Sequence, residues 1–431
     1  MLFCKFLKDH NLIKNVSLIA GGTVFSQLIG VVFTLLVARL YSPKDYGTMN
    51  VFMSVIGILH IGAILTYEKS IPIVRHDDAA KTMVIDCLKI LLVTSAIVFF
   101  VCLVLPVDCF AKLNIAVIYN YRFAIPVAMF LTGLYTIFTQ WAYRRRNYSI
   151  IPQTQILQSL VGGLVKALGG LISPHVFWLI SGTIVNEFCG VSSLIRQAFR
   201  DKVFVCLSND GVGVLKEQYR FPLYMLPNDI INAFAVSGPV LILAYLYDTT
   251  VCGYYGLMNT VINLPMNLVC MSISKVVYAE AAHLTSDNAI AIRDLCVKVT
   301  KYVAFGAILP LAILYVWGPE LFSLVFGEKW HVSGEYAKLM IGYFWVYSIV
   351  LPIGRVMEVF SKQWIGLATN VIRAFLLVIA VYLFKSFSAG VETVVLSLSL
   401  INAVIYGVSV FIFFHVINCF VKIQKARGMV K

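Results

Sequence analysis

Val37-Ala38-Arg39-Leu40-Tyr41-Ser42-Pro43-Lys44-Asp45-Tyr46-Gly47 is the stretch whose reading decides the fold. It closes one long apolar segment with Arg39, turns at Ser42-Pro43, and opens a second apolar segment at Gly47. A fainter copy runs from Leu243 to Gly253, where Ala38, Leu40, Tyr41 and Gly47 recur as Ala244, Leu246, Tyr247 and Gly253. The same offset carries Val55, Ile56 and Lys69 onto Val261, Ile262 and Lys275. One register held across two apolar segments points to a duplicated chain.

Composition names the solvent. Of 431 residues, 60% are hydrophobic and 13% are charged, with a mean hydropathy of +0.86. A soluble domain carries roughly a quarter charged residues, so this chain cannot cover its surface with charge and its solvent is lipid. The net charge of +13 would suit nucleic acid in a soluble protein. Here the basic residues sit in short loops between apolar runs, and none forms a patch with interleaved aromatics that could stack bases. No nucleic-acid partner is expected. The ten cysteines are scattered singly, without a Cys-x-x-Cys pair. Cys87, Cys102, Cys189 and Cys270 lie in apolar runs as small hydrophobes, so neither a disulfide framework nor a metal site is expected. Lys5, Lys8 and Lys14 precede an apolar run too long for a signal peptide, which reads as a retained first helix.

A spanning helix needs ~20 mostly apolar residues. About twelve such segments fall near 16–38, 47–67, 84–106, 119–142, 150–172, 176–196, 221–246, 253–274, 302–318, 336–356, 364–385 and 391–416. The runs are continuous rather than alternating, which excludes a barrel. Placing the N-terminus in the cytoplasm puts most basic residues inside. Among these are Lys69, Arg75, Lys81, Arg144, Arg145, Arg146, Arg196, Arg200, Lys202, Lys275, Arg293, Arg355 and Lys362, with both tails. The outer side keeps only Arg39, Lys44, Lys112, Arg122, Lys329, Lys338 and Lys385. That bias sets both termini in the cytoplasm. A polar break near 197–219 divides the chain into an N-terminal six-helix half (1–200), a cytoplasmic linker (201–220) and a C-terminal half with a cytoplasmic tail (221–431). An even number of spans per half gives both the same orientation, hence parallel repeats about an axis along the membrane normal. This is a transporter architecture.

Ionisable residues within spans are costly and are functional candidates by default. Lys166 lies deep in the fifth span and shares a helix face with Gln155, Ser159 and Gly162. Arg373 lies well inside the eleventh span, one turn after Asn370. Asp229 in the seventh span is flanked by Asn228 and Asn232, and Glu187 is mid-span in the sixth. Asn259, Asn263 and Asn267 form an i, i+4, i+8 row in the eighth, and Ser26/Gln27, Gly30 and Thr34 a weaker row in the first. Each has a plainer alternative. Lys166 could snorkel to the headgroups. Asp229 and Glu187 could pair with a basic neighbour. The asparagines could be interhelical glue. Arg39, Arg122 and Glu68 sit at span ends, where anchoring is ordinary. Gly162/Gly163 and Gly169/Gly170 mark close helix packing, and Trp141, Trp178, Trp317 and Trp364 read as belt residues.

Taken together, the deep charges are mixed, with Lys and Arg prominent, which suits an anionic headgroup such as a diphosphate. A drug-cation exporter would need a carboxylate-dominated cavity, and a channel a ring of like groups. No Gly-x-x-x-x-Gly-Lys-Ser/Thr loop is present, no Ser/His/Asp set can be assembled, and the Asp77-Asp78 pair reads as solvated. No cofactor and no catalysis are expected.

Four stretches resemble the Wzx-type O-antigen and polysaccharide flippases, in the superfamily that also holds multidrug (MATE) exporters. They are Gly21–Ile29 followed by Ala38–Gly47; Arg220-Phe-Pro-Leu-Tyr-Met-Leu-Pro-Asn; Ser272-Ile-Ser-Lys-Val-Val-Tyr-Ala-Glu-Ala-Ala; and Phe326-Gly-Glu-Lys-Trp through Gly334-Glu-Tyr-Ala. The resemblance implies an all-α integral membrane protein with about twelve transmembrane helices in two six-helix bundles related by a pseudo-two-fold axis. It implies transfer of an undecaprenyl-diphosphate-linked oligosaccharide repeat unit across the bacterial inner membrane by alternating access, coupled to an ion gradient. On that reading Arg373, Lys166 and Arg39 would neutralise the diphosphate. Asn370, Asn259, Asn263, Asn267 and Gln27 would meet sugars, and Asp229 or Glu187 would carry the coupling ion. Partners would be the lipid-linked oligosaccharide, membrane lipids and polymerase or chain-length proteins of the pathway. The family's small-residue run around the fifth span is usually apolar and Gly-rich, so Lys166 departs from it. The rivals are a cation-coupled drug antiporter of the same fold and a membrane-embedded polymerase. The latter would need a larger outer loop than about 319–335.

Overall fold

The computed structural model describes residues 10–112, 114–205, 211–284 and 288–426, and within these it contains helices and turns but no strand. Twelve helices are long and apolar enough to cross a membrane. In chain order they are α1 (His10–Leu40), α2 (Pro43–Ala63), α3 (Asp77–Val104), α4 (Ala124–Arg144), α5 (Ile150–Ile172) and α6 (Val176–Arg200). Then come α7 (Leu226–Leu246), α8 (Thr249–Leu284), α9 (Ala289–Phe326), α10 (His331–Ile353), α11 (Trp364–Ser386) and α12 (Val391–Ala426). A π-turn, Phe221–Met225, leads into α7, and its Pro222 accounts for the departure from regular α geometry.

The opening stretch folds as an α1–α2 hairpin. Ser42 caps α2 by accepting the Asp45 N–H at 3.2 Å, Pro43 takes the first helical position, and Asp45 lies in the first turn near the positive end of the helix dipole. The second apolar segment therefore starts at Pro43, four residues before the expected Gly47. The copy repeats the device in register. Asp248, the counterpart of Ser42, accepts the Val251 N–H at 2.9 Å, and α8 starts at Thr249, the counterpart of Pro43.

The chain divides into two compact units. One holds the described residues through Ala233 together with Leu243–Gly253; the other holds Phe234–Ile242 and everything described from Tyr254 onward. In the first unit α3 packs on α4, α4 on α6, α5 on α6 and α1 on α5. In the second, α9 packs on α10, α10 on α12 and α11 on α12. Three pairings of the first unit thus recur six helices later, so the duplication seen in sequence is also a duplication of packing.

The core of the first unit gathers Met83, Cys87 and Leu91 of α3, Ile137, Phe138 and Trp141 of α4, and Leu194 and Ala198 of α6. The second gathers Val277, Ala281, Ile292, Cys296, Ile353, Phe413 and Ile417. Large apolar side chains also cover the outside: Ile172 is 76% exposed and Phe411 82%. That surface is stable only in lipid, where exposure of carbon carries no hydrophobic penalty.

Two expectations are corrected. Trp141 is 1% exposed and donates its indole N–H to Asp201 at 2.9 Å. It is a core residue that ties α4 to the end of α6, not a belt residue; Trp317 and Trp364, at 55% and 62% exposure, do face outward. The stretch 319–335 is largely helical rather than a loop, because α9 runs on to Phe326 after a bend at Trp317 that Pro319 explains. Helices α8 and α9 likewise continue well past their apolar windows. Hydropathy sees only the lipid-facing part of a helix, and an amphipathic extension beyond it is invisible to a span count.

Candidate functional site

The polar row of α1 meets that of α5. Ser26 donates to the Gln155 carbonyl at 2.9 Å and lies 2.9 Å from the Ser159 hydroxyl, while Thr23 donates to Gln155 Oε1 at 3.0 Å. Gln27 keeps a buried Oε1 without a partner. The glycines of α5 set its approach to neighbours: a β-carbon at Gly163 would overlap Phe33, one at Gly169 would overlap Trp178, and one at Gly170 would press on Tyr41. The Tyr41 hydroxyl in turn donates to the Lys166 carbonyl at 2.7 Å.

Lys166 does not reach outward for headgroups. Its stem crosses Gly182 of α6, where a β-carbon would collide with it, and its charge interacts with Glu187 on that helix. A substrate candidate and a coupling candidate are thus brought together inside the bundle. Asn186 of the same helix donates to the Gln158 carbonyl at 3.2 Å.

A second cluster surrounds the start of α7. After α2 the backbone takes the left-handed conformation at Leu65 (φ 55°) and Thr66 (φ 61°), uncommon and strained for side chains of this kind. A short 3-10 turn, Tyr67–Ser70, follows. Thr66 donates to the Phe221 carbonyl at 3.1 Å, Lys69 forms an ion pair with Asp229, and Asn228 lies 3.4 Å from the other Asp229 oxygen. Asp229 is therefore paired with a basic neighbour. Between these contacts lies Glu68, 6% exposed, with a buried Oε2 that has no hydrogen-bond partner. Burial pushes its carboxyl up to about 7, against smaller pulls from its own backbone N–H and from Lys69.

The third cluster lies in the second unit. Arg373 of α11 is 5% exposed and donates from Nη1 to the Tyr406 hydroxyl at 2.9 Å. Its guanidinium carbon lies 5.5 Å from the Tyr406 ring centre, and its Nε–H is buried without a partner. Tyr343 and Tyr347 of α10 stack at 5.4 Å, and both lie against Tyr406 at 6.1 and 5.3 Å. Tyr255 of α8 interacts electrostatically with the same charge. Among the described residues no carboxylate lies within ion-pair distance of Arg373, although a buried charge ordinarily requires one.

The other expected residues are dispersed. Asn263 donates to Asn259 at 2.7 Å, whereas Asn267 is exposed further along α8. Asn370 is partly buried on α11, and Arg39 is exposed at the end of α1. Sequence placed Glu68 only among the span-end residues, with anchoring as the ordinary reading, and did not single out the tyrosines of the Arg373 cluster. The available signals were a Glu-Lys pair at a helix exit and an i, i+4 pair of tyrosines in mid-span.

The chain belongs to the polysaccharide biosynthesis protein family, whose model matches residues 36–335. It is 25% identical over 216 residues to the lipopolysaccharide biosynthesis protein WzxC of Escherichia coli (strain K12). That alignment covers 49% of this chain and 43% of the relative, so it spans less than half of the length of that protein. The fold is that of an inward-facing MATE-family multidrug resistance transporter of the MOP superfamily, with a TM-score of 0.72 at 13% identity over 93% of this chain and 96% of that one. It is also that of the lipid II flippase MurJ in an inward closed conformation, with a TM-score of 0.67 at 13% identity over 96% and 92%. The protein is thus an all-α, multi-pass membrane protein with twelve candidate spans in two six-helix halves.

Proposed function

We propose that this protein is a flippase that moves undecaprenyl-diphosphate-linked O-antigen or related oligosaccharide repeat units across the bacterial inner membrane by alternating access. Its termini lie in the cytoplasm, its halves correspond to residues 1–200 and 221–431, and it catalyses no covalent step. Membership of the polysaccharide biosynthesis family supports the pathway. The MurJ-like fold accommodates the transfer of a lipid-linked sugar.

The observation that carries the reading is Arg373, a buried guanidinium with an unused N–H and, among the described residues, no carboxylate partner. Such a group is stabilised when an oxyanion arrives, and the planar fork suits a phosphate. A transporter for organic cations would gain nothing from an uncompensated positive charge in its interior. Lys166 and Arg39 are the supplementary cations. Gln27, Asn370 and the row Asn259, Asn263 and Asn267 offer amides to sugar hydroxyls. Asp229 and Glu187, each facing a lysine, are positioned to exchange that partner for a coupling ion. Polymerase or chain-length proteins of the pathway are the expected protein partners.

The test is deletion of the gene, followed by locating the lipid-linked repeat unit. Accumulation on the cytoplasmic leaflet supports the flippase. Unpolymerised units already on the outer leaflet would instead assign the block to polymerisation.

A further inference from the structure

The Tyr67–Ser70 turn holds the start of α7 by two bonds, Thr66 to the Phe221 carbonyl and Lys69 to Asp229. Glu68, between the two residues that make those bonds, contributes nothing to them: its Oε2 is buried and unpartnered. An acidic side chain 6% exposed, with one oxygen lacking any donor and only its own backbone N–H and Lys69 favouring the charge, is biased towards the neutral acid. We propose that Glu68 is a proton-binding site whose charge state controls the Lys69–Asp229 bond, and so whether the start of α7 stays clamped to the Tyr67–Ser70 turn.

Charge balance gives the direction. With Glu68 protonated, one ammonium faces one carboxylate and the clamp is complete. With Glu68 ionised, two carboxylates share Lys69 and repel each other, so the hold on Asp229 weakens. The groups that face Glu68 are Lys69 on its own turn, Asp229 of α7 and the Cys87 thiol of α3. Further out, His60 of α2 faces Asp229, and Asp86 of α3 lies beside Cys87 while paired with Lys89 at 2.9 Å. Lys69 is thus the cation for which both carboxylates compete, and the proton is taken from and returned to water. A midpoint of about 7 places the switch within the physiological range. The left-handed Leu65 and Thr66 supply a strained hinge that relaxes when the clamp opens. The site does not depend on which lipid is carried, so it stands or falls separately from the flippase reading.

The experiment uses the full chain in lipid nanodiscs, with protons as the probe. Infrared difference spectra should show a protonated-carboxyl band that disappears with a midpoint near 7 and is missing from Glu68→Gln. Amide hydrogen exchange over 221–233, corrected for the intrinsic effect of pH, should rise by about tenfold between pH 6 and 8 in the native protein. In Glu68→Gln it should stay at the low-pH value. Should that variant fail to fold, Glu68→Asp keeps the carboxyl and should shift the midpoint of both signals together. A band that persists in Glu68→Gln, exchange with unchanged pH dependence in that variant, or exchange that follows sodium and not pH would each overturn the proposal.

Discussion

Gly47 of α2 and Gly253 of α8 pack reciprocally, each against the helix start of the other. A β-carbon at Gly47 would overlap the Thr249 carbonyl oxygen, and one at Gly253 would overlap the Pro43 carbonyl oxygen. Pro43 and Thr249 are themselves counterparts in the repeat, so the contact maps onto itself, as a local two-fold axis between the glycines requires. The obstacle is backbone, which cannot rotate away. Gly47→Ala and Gly253→Ala should therefore each destabilise by about 1–3 kcal/mol or more, read as a lowered melting temperature in detergent. Gly407→Ala in α12 meets open space and should be neutral or gain up to ~1 kcal/mol of helix propensity.

Glu68 gives a pH dependence of stability with a definite sign. An unfolded carboxyl releases its proton near 4.5, whereas the folded chain holds it to about 7. Between those values the folded state binds the extra proton, so stability falls as pH rises through the window and levels off above it. The full effect is on the order of 3 kcal/mol. Thermal melts from pH 4.5 to 8 should show this decline in the native protein and a flatter profile in Glu68→Gln.

Lys69 and Asp229 are partly exposed, at 37% and 22% of their side chains, so their coupling should be modest. A double-mutant cycle of Lys69→Met and Asp229→Asn should return an interaction of about 0.5–1 kcal/mol. Zero coupling would remove the clamp from the account. The same cycle measured at pH 6 and pH 8 should give the larger value at pH 6, where Glu68 is neutral.

Trp141 and Trp364 separate a core indole from an outward-facing one. Trp141→Phe loses the bond to Asp201 and leaves a gap in a packed core, and should cost about 1–3 kcal/mol. Trp364→Phe, exposed at 62%, should cost far less in the same melting assay.

The fold was legible because its signals are local. Long apolar runs, the asymmetry of basic loops and the recurrence of Val37–Gly47 each follow from lipid as solvent, and all twelve expected spans correspond to helices. The helix ends were less legible. The caps at Ser42 and Asp248 begin α2 and α8 before the apolar residues do, and polar extensions of α8 and α9 carry no hydropathy signal. The site was legible as a set of costly residues but not as pairs. Nothing in sequence says that Lys69 reaches Asp229, that Lys166 crosses Gly182 toward Glu187, or that Tyr343, Tyr347 and Tyr406 gather around Arg373. Those relations join distant segments, and only packing makes them. Trp141 was misread for the same reason: an aromatic at a span end looks alike whether it faces headgroups or a neighbouring helix.

Arg373 bears the central claim. The direct measurement is the access of a membrane-impermeant, sugar-modifying probe to the lipid-linked repeat unit in a deletion strain carrying native, Arg373→Lys or Arg373→Ala protein. The account predicts outer-leaflet labelling with the native protein, a loss of about tenfold or more with Arg373→Ala, and an intermediate value with Arg373→Lys, which keeps the charge but not the fork. Full labelling with Arg373→Ala would contradict it.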